Sequence, residues 1–324
     1  MKKSYLMMAA AATMFAACTQ SDFVNLVPET EQAIGFETYS NKVTRATQNL
    51  EKAHESFGVR ADMVVDGTPT SIMNNYRVNF VTPNWVYAGV VVGGNTQVLR
   101  YWNKNATYKF YAYAPFSEGV SIATDGKVTI PSAAYAGTQN IQATFSTTAT
   151  DAVFSTNTDW MIATAQESVS GATGGTVTEV FNHIMSKLDV VVTTSGDEKV
   201  NVTYIKVKGL PTTGGYDGTK WTATGATADI EGVVDGDVDV ENGTSYYTIQ
   251  SLLIPTTAAS LTIDIKYEID GIKYDYKDIP VTALTSFAAG TQYTLTASIG
   301  LSPIVFDAVY SDWTDDSSPS VSIQ

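Results

Sequence analysis

Between residues 261 and 276 the chain reads LTIDIKYEIDGIKYDY, and few stretches leave a backbone so little choice. Leu261, Ile263, Ile265, Tyr267 and Ile269 recur at every second position, which is the period of a strand with one buried face; a helix would scatter them around its circumference. Asp270 and Gly271 then supply two residues that tolerate positive φ, as a type I′ turn requires at both central positions. The turn sets the register. Ile269 faces Ile272, Tyr267 faces Tyr274 and Ile265 faces Tyr276, and both strands are expected to bury that side. A chain containing this hairpin has to build a sheet around it.

The remainder reads the same way. Short β-rich runs broken by Gly, Asn or Pro predict strands at 57–65, 76–81, 85–92, 98–102 and 108–114. Pro115 ends the last of these because it cannot donate to a ladder. Residues 180–194 and 200–208 are expected to pair with each other, and 246–254, 292–299 and 304–313 add further strands. No run is long and periodic enough to read as a helix. Aromatic residues make up 11% of the chain, 18 of them tyrosines, which suits an all-β fold closed as a β-sandwich. A chain of 324 residues exceeds the usual size of one domain. The Ser-, Gly- and Thr-rich stretch 163–176 reads as the link, giving an N-terminal sandwich of residues 33–172 and a C-terminal sandwich of residues 173–324.

The N-terminal end reads as export and tethering. Two lysines, an apolar run from Tyr5 to Phe15, and Ala16 and Ala17 form a secretory signal over residues 1–17, too short to span a bilayer as a mature helix. The one cysteine of the chain, Cys18, follows directly, and the arrangement resembles a bacterial lipobox in which the thiol is acylated and the signal removed. A single thiol excludes an internal disulfide. Residues 18–32, polar and acid-leaning with Pro28, read as a flexible tether. The first strand follows in AIGFETYSNKVTR, residues 33–45, with Ile34 and Phe36 on one face and Tyr39 and Val43 on the other. It ends at Arg45 in a Thr-rich, exposed segment.

Several functions are disfavoured by composition. A net charge of −14 leaves no basic face for nucleic acid. The two histidines, His54 and His183, lie far apart in no catalytic or zinc-binding motif, so neither an enzyme nor a cofactor is expected. His183, inside FNHIMSKL, reads as a hydrogen-bonded core or strand-edge histidine. Asp235, Asp237 and Asp239 imitate the start of a calcium loop but fail it, because Val240 replaces the turn glycine and Tyr246 the bidentate glutamate. Gly93-Gly94 and Gly214-Gly215 read as turns. Trp85, Trp102, Trp160, Trp221 and Trp313 would be the platform of a surface glycan-binding lipoprotein, although their place in predicted strands favours core packing.

Taken together, FNHIMSKLDVVV (181–192), TDWMIATA (158–165), YKFYAYAP (108–115), LLIP (252–255), and FAAGTQYTLTASIGL with the later DAVYSDW (287–313) resemble the fimbrillin family, the type V pilins of Bacteroidota, over nearly the whole chain. The resemblance implies two tandem transthyretin-like β-sandwich domains after a lipoprotein signal, and residence at the outer membrane and in a fimbrium. It also implies cleavage by an arginine-specific protease, for which Arg45 followed by Ala46 is the matching position. Loss of the strand carrying Ile34 and Phe36, and polymerisation with other pilus subunits by strand exchange, would follow. The C-terminal SVSIQ, with Val321 and Ile323 in strand register after a polar spacer, is the expected donor. Shaft, tip and anchor subunits share these motifs, so a non-polymerising anchor is an alternative, as is the glycan-binding lipoprotein.

Overall fold

The computed structural model describes residues 32–40, 56–134, 139–143, 153–154, 158–194, 196–224, 227–300 and 304–313. Among them every regular element is a strand. In chain order the first half forms β1 (Gly35–Ser40), β2 (Ser56–Val65), β3 (Thr68–Val81), β4 (Asn84–Val86), β5 (Val91–Val92), β6 (Asn95–Thr96), β7 (Thr107–Ala114), β8 (Ser121–Ile122), β9 (Val128–Ala134), β10 (Gln139–Ala143), β11 (Val153–Phe154), β12 (Met161–Ala163) and β13 (Gln166–Ser170). The second half forms β14 (Thr176–His183), β15 (Ser186–Thr194), β16 (Val200–Pro211), β17 (Thr213–Tyr216), β18 (Trp221–Ala223), β19 (Thr227–Val240), β20 (Tyr246–Leu253), β21 (Leu261–Ile269), β22 (Ile272–Val281), β23 (Thr291–Ile299) and β24 (Val305–Asp312).

The hairpin written in LTIDIKYEIDGIKYDY is β21–β22. Asp270 and Gly271 hold φ of 50° and 78°, and the pairs Ile269–Ile272, Tyr267–Tyr274 and Ile265–Tyr276 form as expected. One expectation fails here. The apolar alternation of β21 is fully buried, but on β22 Ile272 is 60% and Tyr276 42% exposed. β22 is the last strand of the sheet β10-β19-β16-β21-β22, so among the described residues it has a neighbouring strand on one side only. Tyr274 and Tyr276 find cover in each other and in Tyr267 of β21, the three rings stacking with centroids 5.0 to 6.3 Å apart.

That sheet packs against a second, β11-β20-β15-β23-β24. Val190 and Val192 from β15 and Leu295 from β23 meet Val202 and Ile205 from β16 and Ile263 and Ile265 from β21 in one apolar core. The expected pairing of 180–194 with 200–208 is therefore corrected. β15 lies between β20 and β23, β16 between β19 and β21, and the two strands face each other across the core. β15 carries buried side chains on both faces, which suits a central position in its sheet, whereas β16 buries one face and leaves Asn201, Lys206 and Lys208 half-buried on the other. The run 180–194 is also broken in two. At Ile184, whose N–H bonds the Trp160 carbonyl at 3.0 Å, the chain leaves one sheet for the next.

The eight-stranded sheet, in order β1-β14-β12-β7-β2-β3-β4 with β13 on β7, holds most of the first half. It curls until its two edges, β1 and β4, meet, and it encloses a core rich in aromatic rings. β7 is buried on both faces: Tyr108, Phe110 and Ala112 enter this core, while Tyr111 and Tyr113 enter a smaller one with Val128, Ile130, Trp160 and Trp221. Sheet membership does not change at residues 172–173, where the link was expected. β13 pairs with β7 inside the supposed link, β14 still belongs to the eight-stranded sheet, and β10 and β11 from the first half join the later sheets.

Smaller corrections follow from single positions. The expected strand 98–102 is reduced to one bridge, Tyr101 with Ala33, and 85–92 is divided between β4 and β5. Gly93 and Gly94 do turn the chain, with φ of 54° and 80°, but Gly214 and Gly215 lie within β17. A Cβ on Gly214 would sit 2.7 Å from the carbonyl oxygen of Thr222 on the neighbouring strand, so close approach rather than a turn selects glycine there. Asp235, Asp237 and Asp239 are strand residues of β19, not a loop.

Candidate functional site

Ile34 and Phe36 sit where the curled sheet closes. β1 runs parallel to β14, from Gly35 beside Thr176 to Ser40 beside Phe181, and forms the edge of the sheet. Just before it, the Ile34 amide bonds the Arg100 carbonyl and the Trp102 amide bonds the Gln32 carbonyl, each at 2.9 Å. The segment 32–40 is thus gripped from two sides, by residues 100–102 at its start and by β14 along its length.

The side chains below it follow the strand period. Ile34 is 1% and Phe36 6% exposed, and Thr38, next on the same face, is also buried. The Phe36 ring meets Phe57 and Tyr87 at 5.8 Å and Phe110 at 6.1 Å, all near-perpendicular, the favoured edge-to-face geometry. Tyr87 donates its hydroxyl hydrogen to the Ile34 carbonyl oxygen at 3.0 Å and so ties the β4 side of the roll to β1. On the outer face Thr178 of β14 donates to the Glu37 carboxylate at 2.8 Å.

One residue of this seat is not among those the sequence pattern singles out. Glu179 lies on the core face of β14 between Val177 and Phe181 and is the register partner of Thr38. Its side chain is fully buried, and among the described residues neither carboxyl oxygen, nor the Thr38 hydroxyl beside it, has a hydrogen-bond partner. Desolvation pushes the Glu179 carboxyl from its ordinary 4.5 up to about 8. The signal that could have found it is in TVTEVF: an acid in phase with Val177 and Phe181 interrupts an apolar face.

The other residues picked out from the sequence lie apart from the seat. Cys18, Arg45, Ala46, Val321 and Ile323 fall outside the described residues. His183 pairs through Nδ1 with Asp159 at 2.9 Å and stacks on Trp313 at 3.7 Å. Trp102, Trp160 and Trp221 are buried. Trp221 also borders a cleft of about 570 Å³ with Tyr216, Lys220, Pro255 and Phe287, but its Nε1 is tied to the Ile184 carbonyl at 2.6 Å. Among the described residues no group of three or more His, Cys, Asp or Glu is placed to hold a metal.

Fold and seat together define an all-β structural protein whose distinctive feature is a closing edge strand at its N-terminal end. The chain belongs to the fimbrillin-like family, whose model matches residues 44–313. A curated relative, fimbrium subunit Fim1C of Phocaeicola vulgatus, is 24% identical over 396 aligned positions that cover 99% of each chain. Among solved structures, a fimbrial protein from Bacteroides vulgatus ATCC 8482 superposes with a TM-score of 0.60 at 16% identity, covering 87% of this chain and 100% of that one. A candidate cell adhesion protein from Bacteroides ovatus ATCC 8483 gives a TM-score of 0.57 at 14% identity, covering 88% and 99%. These two show the likeness of fold. Family membership makes this chain a structural protein and not an enzyme.

Proposed function

We propose that the protein is a structural subunit of a surface fimbrium that supports adhesion and assembles with other subunits by exchange of the strand at the β1 position. In this reading the chain is exported, acylated at Cys18 and carried to the outer membrane, and an arginine-specific protease cuts between Arg45 and Ala46. β1 leaves with Ile34 and Phe36, and the tail of a neighbour, carrying Val321 and Ile323, enters in its place. The two-domain organisation belongs to the same reading, with the chain passing from the first sandwich to the second near Ile184.

The observation that carries this reading is the placement of β1: an edge strand, joined to the rest by a segment that contains Arg45, with its apolar anchors sunk into the core. Burying an Ile and a Phe contributes about 1.5–3 kcal/mol each. Against a typical net stability of about 5–15 kcal/mol, an emptied seat needs a new occupant. The freed edge of β14 adds unpaired ladder groups that β-augmentation satisfies. The glycan-binding alternative draws no comparable support, since three of its five tryptophans are committed to the interior.

The N-terminal sequence of the mature surface protein tests the proposal. A start at Ala46 supports a processed, polymerising subunit; a lipidated Cys18 start supports a non-polymerising anchor. Arg45→Ala is expected to leave a folded, self-complemented monomer, and SDS-resistant ladders of normal length from that variant would overturn processing at Arg45.

A further inference from the structure

Along residues 34–38 two inward positions fit the seat closely and the third does not. Ile34 and Phe36 are enclosed, and the Ile34 carbonyl accepts from Tyr87. At the next inward position the Thr38 hydroxyl and both Glu179 oxygens lie buried on adjacent strands, all without hydrogen bonds. The Thr38 hydroxyl does not engage the carboxyl, and among the described residues nothing else does. On its own strand Glu179 is flanked by Val177 and Phe181, and β12, on the far side of β14, contributes buried Met161 and Ala163. Of the charged side chains on these strands, Glu37 is exposed on the outer face and His183 pairs with Asp159 at the far end of β14. β2 and β7 bring apolar residues to the same core, among them Phe57 and Phe110. A buried acid without a partner is among the costliest arrangements a core can hold, and a charge-assisted hydrogen bond is the most direct relief.

We propose that Glu179 is the selectivity position of the β1 seat: the strand of another subunit that carries, at the place of Thr38, a donor or a positive charge long enough to reach the Glu179 carboxyl is held more tightly than β1 itself. The inference rests on the reading of β1 as an exchangeable strand. Ile34 and Phe36 specify where any occupant lies, because their pockets accept any apolar pair at that spacing. Glu179 distinguishes among occupants, since an occupant with a small or apolar side chain at that position leaves the carboxyl as it stands in this chain.

The test uses the full chain, with the donor supplied in place of Thr38. Thr38→Lys and Thr38→Asn are compared with Thr38→Val by amide hydrogen exchange at neutral pH, reading β1 and β14 against β21 and β22 as an internal control. Thr38→Asn is expected to slow exchange in β1 and β14 by about 2- to 10-fold relative to Thr38→Val, the factor for one neutral hydrogen bond, and Thr38→Lys, whose charge favours the ionised carboxylate, by about 10- to 100-fold. The gain should vanish in a Glu179→Leu background. Asn, close to Thr in size, keeps the test open where the longer Lys does not fit. Donor variants no better than Thr38→Val would overturn the proposal, as would a gain that survives Glu179→Leu or one shared equally by β21 and β22. None of these outcomes bears on strand exchange itself, which the Arg45→Ala ladders read separately.

Discussion

At the scale of single residues, the molecule contrasts one position that admits no side chain with one that holds the wrong kind. Gly58 of β2 lies opposite Tyr113 of β7, and a Cβ there would come within 2.3 Å of the ring. The ring cannot retreat, because it is fully buried and its hydroxyl lies 2.7 Å from both Asn75 Oδ1 and the Ser117 carbonyl. Gly58→Ala is therefore expected to destabilise the protein by about 1–3 kcal/mol through overpacking, measured as a lower denaturant midpoint. Glu179 behaves differently because its cost depends on pH. Its folded pKa, about 8, stands above the ordinary 4.5, so its contribution to stability is intact below about pH 4.5 and is lost as pH rises towards 8. At pH 7 the loss amounts to about 3 kcal/mol. Glu179→Gln should flatten that slope, and equal pH dependence of unfolding in the two proteins between pH 5 and 8 would contradict the assignment. Strand periodicity makes Ile34 and Phe36 legible in the sequence. Glu179 is hidden there because polar residues also alternate in TVTEVF, and only the phase of its neighbours marks it as inward.

At the scale of elements, what the sequence reveals and what it conceals divide by distance along the chain. The β21–β22 hairpin is readable to the residue because Asp270-Gly271 fixes its register locally. Gly271→Ala, at a φ of 78°, should cost about 1 kcal/mol in a denaturant titration while leaving the overall β circular dichroism spectrum in place. The pairing of β15 is not readable. Apolar residues on both faces mark it as central, but its partners β20 and β23 are chosen by which sheet the chain has entered at Ile184, a matter of packing among distant segments. The same holds for β1, whose sheet partner β14 lies far along the chain. Its inward face follows from alternation; its neighbour and its parallel direction do not.

At the scale of the whole molecule, separate cores make separate responses testable. Trp85 and Trp102 pack in or against the core closed by β1, and Trp160 and Trp221 in the smaller core on the other face of β7, whereas the core between the two five-stranded sheets is built from aliphatic residues and tyrosines, with Phe287 and Phe306. A secreted chain beginning at Ala46 is thus expected to show a tryptophan-fluorescence melting midpoint lowered by about 10 °C or more relative to the longer chain, while the residual β signal in circular dichroism melts later. A single shared midpoint would mean that the cores unfold as one. Truncation after Trp313 should leave both midpoints nearly unchanged, because β24 already completes its sheet on β23. The lie of β1 along β14 carries a mechanical meaning too. A pull directed along the strand axis loads its ladder bonds to β14 together, in shear, whereas a sideways pull opens them one after another like a zip. Whatever strand occupies that position therefore resists tension along its length far better than peeling from its end, and the direction of the load decides whether the joint holds.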